Sequence, residues 1–301
     1  MKKVFVIILN WNRFNDTLAC LESVQVLNTQ GFDLKVLIVD NASTDDSLKR
    51  LKEIKNVEII SNSTNLGFAG GNNVGIRYAL KKGADYVVVL NNDTILEKDS
   101  LNHLVKTASD NPKTGALSPK IYFEKGYEFQ KNKYKIADEG KVIWYAGGLI
   151  DWKNVYGSGR GVDEVDKGTF NQIADTDFAT GTCMLFPRVA LEKIGMFDEK
   201  YFMYYEDTDL SQRLKKGGFE VMYVPDAHIW HKVAQSSGIG SELNDYFITR
   251  NRMLFGLKYA PLRTKLALIK ESLKLLLSGR KWQKTGISDY YLGRFGKGSW
   301  A

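Results

Sequence analysis

Cysteine is scarce: Cys20 and Cys183 are the only two in 301 residues. They lack the paired spacing of a zinc or redox motif and are too few for a disulfide framework, so cytoplasmic chemistry is the default expectation. Histidine is nearly as rare, which leaves His103, His228 and His231 for any metal or proton-transfer role. No uninterrupted apolar run approaches the ~20 residues that span a bilayer, so any membrane role would be peripheral. The opening Met1-Lys2-Lys3 and apolar residues 4–9 resemble a short signal peptide. Polar Asn10, Asn12, Arg13 and Asn15 follow at once with no small-residue cleavage site, which makes the segment a first strand. Internal repeats and low-complexity tracts are also missing, so the chemistry must come from one composite site.

What is present suits one large core. Hydrophobic residues make up 44% of the chain and the formal charge is +7, too modest for disorder. Continuous apolar runs at 4–9, 35–39 and 86–90 read as strands buried on both faces, with helical stretches near 16–27, 45–53 and 71–81 between them. The fold class is therefore α/β, a mostly parallel Rossmann-like sheet with crossover helices. From about residue 112 the pattern changes. Residues 122–140 lose periodicity and 144–161 are glycine-rich, which predicts loops and a small antiparallel element on an acceptor side. Helices near 189–194 and 208–216 lead through Gly217-Gly218 to a strand at 220–224, where Pro225 is expected to break the ladder.

These shifts divide the chain into a main domain at 1–250, with halves at about 1–111 and 112–250, and a C-terminal extension at 251–301. In the extension, Leu262, Leu266, Ile269, Leu273 and Leu276 alternate spacings of four and three among Arg263, Lys265, Lys270 and Lys274. This is a basic amphipathic helix. It can pack on the domain, lie on an anionic membrane surface at the cytoplasmic face, or support a homodimer. Nucleic acid is not expected as a partner, since the positive charge is terminal and no recognition module accompanies it.

The candidate site residues follow the strands. Ligands of an open parallel sheet bind beyond the strand carboxyl ends, so Asn10, Asn12 and Asp40 should converge on one crevice. Asp40 can accept from a ribose hydroxyl or a pyrimidine imide, or cap its own turn. Asn65-Leu66-Gly67-Phe68-Ala69-Gly70-Gly71-Asn72-Asn73 reads as a glycine-rich turn entering a helix, able either to approach an anion or to pack tightly. It has neither the Gly-Lys-Ser/Thr of a phosphate loop nor dinucleotide-binder spacing. Asn92 and Asp93 follow a strong strand, and Asp93 is placed to ligate a hard divalent cation bridging two phosphates, with His231 the candidate second ligand. A His228–His231 pair is left open. Tyr205-Glu206-Asp207-Thr208-Asp209 puts three carboxylates at a loop-to-helix junction, where they can cap the helix or supply a base. Asp207 is the preferred base, Glu206 and Asp209 its neighbours, and Arg213 is expected to pair with Asp209.

This ordered set resembles the rhamnosyltransferase-like branch of the large inverting glycosyltransferase family 2, with a GT-A fold, over roughly residues 3–255. The matching stretches are the opening strand through Asn12, Val39 to Asp45, Asn65 to Asn73, Leu90 to Thr94, Gly181 to Leu185, Gly195 to Glu199 and Tyr205 to Leu210. The resemblance implies that Asp40 contacts the nucleoside, Asp93 binds metal and diphosphate, and Asp207 is the acceptor-side base. It also implies that His231 is the late metal or diphosphate ligand and that Gly181 and Thr182 line the acceptor pocket, with Trp144 and Tyr205 on the same side. The implied cofactor is magnesium or manganese, although Asn91 stands where an acidic residue is usual. The implied donor is a nucleoside-diphosphate sugar, with dTDP-rhamnose favoured by the branch. The acceptor would be a glycan or a polyprenyl-diphosphate-linked sugar. A sugar-phosphate nucleotidyltransferase and a noncatalytic glycan-binding protein are the alternatives.

Overall fold

The structure is a computed structural model that describes residues 1–130, 133–233 and 241–300. The first part alternates strands and helices: β1 (Lys2–Asn10), α1 (Phe14–Gln25), β2 (Phe32–Asp40), α2 (Ser47–Leu51), β3 (Glu58–Ser61), α3 (Gly67–Lys81) and β4 (Tyr86–Asn91). Strand alternation sends Val4, Val6 and Ile8 toward Cys20, Leu21 and Val24 of α1, while Phe5 and Ile7 face Ala69, Ile76 and Ala79 of α3. Both sheet faces are covered, which is why the sequence runs are continuously apolar. There follow β5 (Thr94–Leu96), α4 (Ser100–Asp110) and β6 (Thr114–Phe123), then β7 (Ile143–Tyr145), β8 (Gly148–Asp151), β9 (Tyr156–Gly159) and β10 (Ala174–Asp175). β11 (Cys183–Pro187), α5 (Arg188–Ile194), α6 (Glu206–Lys216), β12 (Glu220–His231), α7 (Glu242–Tyr259), α8 (Leu262–Ser278) and α9 (Lys281–Tyr291) complete the described chain.

The main sheet runs β10-β12-β6-β11-β4-β1-β2-β3, with β5 on β12 and β7 on β6, and β8–β9 form a separate antiparallel hairpin. β1 is parallel to both β2 and β4, and β6 is parallel to β12. β11 runs antiparallel between β4 and β6. Among the described residues, no helix is long and apolar enough to cross a membrane.

Four expectations change. α3 begins at Gly67 rather than near 71, so the glycine-rich segment lies mostly inside a helix. Pro225 does not end the strand: the β12–β6 ladder shifts register between Val224 and His228 and then resumes, the bulge absorbing the residue that has no N–H to donate. His228 and His231 lie three apart in that extended strand, on opposite faces, so they form no paired site. The boundary at 250/251 falls inside α7, where Arg250 and Asn251 are fully buried, so the C-terminal helices are built into the domain. α8 is amphipathic as expected and turns Thr264, Leu268 and Ser272 inward.

Candidate active site

The β1–β2 register sets Asn10 directly opposite Asp40 at the carboxyl edge of the sheet. Asn10 Nδ2 donates to Asp40 Oδ1 (2.8 Å) and Ser43 Oγ (3.0 Å), and Ser43 donates its N–H and hydroxyl to the Asp40 carboxylate. Asp40 is fully buried and caps this turn; Oδ2, with one donor, keeps acceptor capacity. Thr17 donates to Asn10 Oδ1 (2.7 Å) and Asn92 Nδ2 donates to Thr17 (2.9 Å). A continuous relay therefore runs from Asn92 at the end of β4 to Asp40 at the end of β2. Asn12, at φ 54°, accepts from Thr44 N–H (2.7 Å) and donates to its hydroxyl (3.1 Å), fastening the loop after β1 to the turn after β2.

Asn41 is a hub that motif reading passed over. It donates to Asn65 Oδ1 (2.9 Å) and the Gly67 carbonyl (3.1 Å), and accepts from Asn62 Nδ2 (3.0 Å) and Leu66 N–H (3.0 Å). Its signal was an amide directly after a strand-terminal acid. Gly67 has φ +69°, and a Cβ there would run into the Phe202 carbonyl and ring. At Gly71 a Cβ would lie 2.6 Å from Leu9 Cδ1, so this glycine allows close helix–sheet packing. Asn72 is buried within α3, with Nδ2 on the Phe68 carbonyl (3.0 Å) and Oδ1 unpartnered. These contacts show the tight packing that the sequence allowed for this segment.

Asp93 lies in the turn between β4 and β5. The β5–β12 ladder places Thr94 opposite His231 and so draws the carboxylate to the imidazole, with Asp93 Oδ1 3.2 Å from His231 Nε2. That approach is not aligned as a hydrogen bond: Asp93 Oδ1 and His231 Nδ1 are both buried without a hydrogen-bond partner. A hard carboxylate oxygen beside an imidazole, both short of partners, fits a divalent cation. No third His, Cys, Asp or Glu joins them among the described residues, so the remaining ligands would be substrate oxygens and water. The Trp144 ring meets His231 edge-on at 4.7 Å and restricts the imidazole plane. Lys232, also missed, donates its N–H to the Asp93 carbonyl (2.9 Å) and sets its ammonium 3.3 Å from Asp16. Its adjacency to His231 was the available signal.

The Gly181-Thr182 turn links this edge to the acidic cluster. The Thr182 carbonyl accepts from Asn91 N–H (2.9 Å), and Gly181 N–H donates to Asp207 Oδ2 (2.9 Å). Asp207 Oδ1 accepts from Thr208 N–H (2.6 Å) and hydroxyl (3.1 Å). Burial raises the Asp207 pKa, with the Gly181 and Thr208 bonds opposing it. The result is a rigidly held carboxylate of increased proton affinity, as a general base requires. Burial, and then the Asp207 charge, push the Glu206 pKa far above the carboxylate range, and its Oε2 has no partner. Glu206 therefore holds its proton to higher pH than an ordinary carboxylate.

Asp209 has a different role. Burial works to raise its pKa, but bonds from Lys258 (2.6 Å) and Arg213 (2.7 Å) prevail and hold it low, while Tyr259 (2.8 Å) and Tyr201 (3.2 Å) donate as well. It braces α6 against α7, with the expected Arg213 pair in place. Tyr205, at φ 72°, donates its hydroxyl to the Val155 carbonyl (2.8 Å) and ties the β8–β9 hairpin to the acidic turn. Asn251 Nδ2 donates to the carbonyls of Tyr201 (2.8 Å), Met203 (2.7 Å) and Tyr204 (2.9 Å). Phe202, Tyr204 and Tyr205 all have positive φ, so this amide holds an unfavourable backbone path just before Glu206.

The architecture is the GT-A fold. The crystal structure of GalNAc-T7 with UDP, GalNAc and Mn2+ superposes with a TM-score of 0.62 at 15% identity, covering 96% of this chain and 58% of that one. The N-acetylglucosaminyl-diphospho-decaprenol L-rhamnosyltransferase of Mycobacterium tuberculosis (strain CDC 1551 / Oshkosh) is 30% identical over 218 residues, 68% of each chain. Rhamnosyltransferase WbbL of Escherichia coli (strain K12) is 27% identical over 240 residues, 76% of this chain and 83% of that protein. The family model described as Glycosyl transferase family 2 matches residues 5–195, from β1 to the end of α5. That stretch holds the Asp40 relay, Asp93 and the Gly181-Thr182 turn, and the chain belongs to glycosyltransferase family 2.

Proposed function

We propose that this glycosyltransferase, which transfers a sugar from a nucleoside-diphosphate donor, inverts the anomeric centre with Asp207 as base. We also propose dTDP-rhamnose as donor and a glycan or polyprenyl-diphosphate-linked sugar as acceptor. The observation that supports the base assignment is the Gly181-Thr182 bridge, which sets a half-buried carboxylate of raised proton affinity one turn away from Asn91 at the donor edge. The nucleoside lies over the Asp40 relay, and the diphosphate lies toward Asp93, His231 and Lys232. The acceptor enters along Gly181, Thr182 and Tyr205, with Trp144 walling the diphosphate end.

In the reaction, the acceptor hydroxyl attacks the anomeric carbon as Asp207 accepts its proton, and the bond from that carbon to the diphosphate oxygen breaks on the opposite side. Glu206, whose pKa burial and the Asp207 charge raise, favours its protonated form and so lessens charge repulsion beside Asp207. Lys232 offers positive charge to the departing diphosphate. Asp93 and His231 would hold a magnesium or manganese ion, which when bound supplies Lewis-acid stabilisation of the leaving group. The rhamnosyl and lipid-linked parts of the proposal are supported by the names of the Mycobacterium and Escherichia relatives. A lipid-linked acceptor would bring the enzyme to the cytoplasmic face of a membrane.

The test is release of nucleoside diphosphate from thymidine-, uridine- and guanosine-diphosphate sugars with membrane-derived acceptors, with and without added magnesium or manganese. Turnover with a thymidine donor that depends on the ion and falls in Asp93→Ala supports the reading. Turnover insensitive to chelation, with Asp93→Ala fully active, contradicts the metal assignment.

A further inference from the structure

α8 has two apolar faces, and only one meets the protein. Leu268 is buried, Thr264 donates its hydroxyl to the Trp152 carbonyl (3.0 Å) and Ser272 packs beneath Tyr291, its hydroxyl 2.7 Å from the tyrosine oxygen. On the other side Leu262, Leu266, Ile269, Leu273 and Leu277 are exposed by 73, 61, 39, 55 and 83%. Spacings of three and four put these five on one stripe roughly 22 Å long. A soluble enzyme gains nothing by presenting a continuous row of leucines to water, and a row of this size marks a contact surface.

The charges around the stripe select the contact. Arg263, Lys270 and Lys274 line one border and Lys265 the other, and none of them takes an ion pair among the described residues. The helix carries one acid, Glu271, which lies on the domain side and is held by the two terminal guanidinium nitrogens of Arg252 (2.8 and 3.0 Å). The outward surface is therefore apolar with unopposed cations at its edges. Pairing two copies through the stripe would bring like charges together with no acid to answer them. An interfacial helix on an anionic bilayer has the matching arrangement: leucines enter the acyl boundary and lysines and arginines meet phosphate headgroups.

We infer that the outward stripe of α8 docks this enzyme on an anionic lipid bilayer. The inference rests on the lipid-linked acceptor proposed above and adds the surface that would meet the membrane. Placement supports it. Leu268 packs against Gly256 beside Val155, and the Val155 carbonyl receives the Tyr205 hydroxyl next to Glu206 and Asp207. The docking helix and the acidic turn thus share one mount, the β8–β9 hairpin, which fixes the acceptor side of the site relative to the bilayer.

The experiment is co-sedimentation of the full chain with vesicles of phosphatidylcholine alone or mixed with phosphatidylglycerol, over a salt series. We compare wild type, the triple variant Leu266→Gln, Ile269→Gln and Leu273→Gln, and the charge variant Lys270→Glu with Lys274→Glu. Wild type should partition onto the mixed vesicles and lose binding as salt rises, and both variants should bind at least about tenfold more weakly. Release of nucleoside diphosphate with a soluble acceptor reports the active site separately and should be unchanged, because every substituted side chain is exposed. Equal binding by all three proteins, no preference for the anionic vesicles, or a concentration-dependent dimer abolished by the triple variant would each overturn the inference. Loss of soluble turnover in wild type together with intact vesicle binding would count against the catalytic reading and leave the docking surface standing.

Discussion

Replacing Glu206 with glutamine should stabilise the folded protein, by an amount that grows with pH. Glu206 is buried at the start of α6 with an unpartnered Oε2, and burial followed by the charge of Asp207 raises its pKa well above the ordinary value. The helix N-terminus favours a negative charge by about 0.3–1 kcal/mol, too little to offset desolvation of a buried carboxylate. In the unfolded chain Glu206 ionises in the usual carboxylate range, whereas in the folded protein its raised pKa keeps the proton to higher pH. The native state then binds one more proton between the unfolded pKa and the raised folded pKa, so stability is full below that window and declines as pH rises through it. The slope is about 1.4 kcal/mol per pH unit, and glutamine, which does not titrate, removes this contribution. Urea unfolding at a series of pH values should give stability curves for wild type and Glu206→Gln that diverge at about this slope. In thermal melts each kcal/mol should appear as roughly 2–4 °C. Parallel curves, or a variant less stable at the highest pH, would falsify the raised pKa of Glu206.

Asn251→Ala removes the donor shared by three carbonyls and should cost about 2–4 kcal/mol by denaturant titration. The same variant should lower kcat more than it raises KM for the donor, because the freed 201–204 loop carries the acidic turn; an unchanged kcat would show that the loop needs no such brace. Gly67→Ala meets both a left-handed backbone and the Phe202 carbonyl, and should lower stability by at least about 1–2 kcal/mol in the same assay. The acid limb of kcat/KM should lie above the ordinary aspartate range, since burial raises the Asp207 pKa and the base works only when ionised. A limb at or below that range would contradict this environment.

The sequence carried the first half of the sheet well because its signals are local. Apolar runs buried on both faces mark β1, β2 and β4, and polar residues at or just past each strand's end mark the edge where Asn10, Asp40 and Asp93 lie. It carried long-range bracing poorly. Asn41, Asn251 and Lys232 have no distinctive spacing; their roles arise from partners 25, 50 and 216 positions away. Pro225 misled because a bulge lets the ladder resume beyond it. Asp209 reads like its neighbours in the motif, yet Lys258 and Tyr259, supplied by α7, make it structural. The leucine pattern of α8 was legible as a face, but only tertiary packing shows that Leu262, Leu266, Ile269 and Leu273 point outward, that Leu276 of the predicted face packs against the core and that Leu277 completes the exposed stripe.

Turnover by Asp207→Asn, measured beside donor binding, tests the central claim most directly. Asparagine keeps the shape, accepts from only one of the Gly181 and Thr208 N–H groups with its single amide oxygen, and cannot take the acceptor proton. The account predicts donor affinity within a few-fold of wild type and transfer lower by about 10²–10⁴-fold. Transfer retained near the wild-type rate, with the donor still bound, would show that another group takes the acceptor proton.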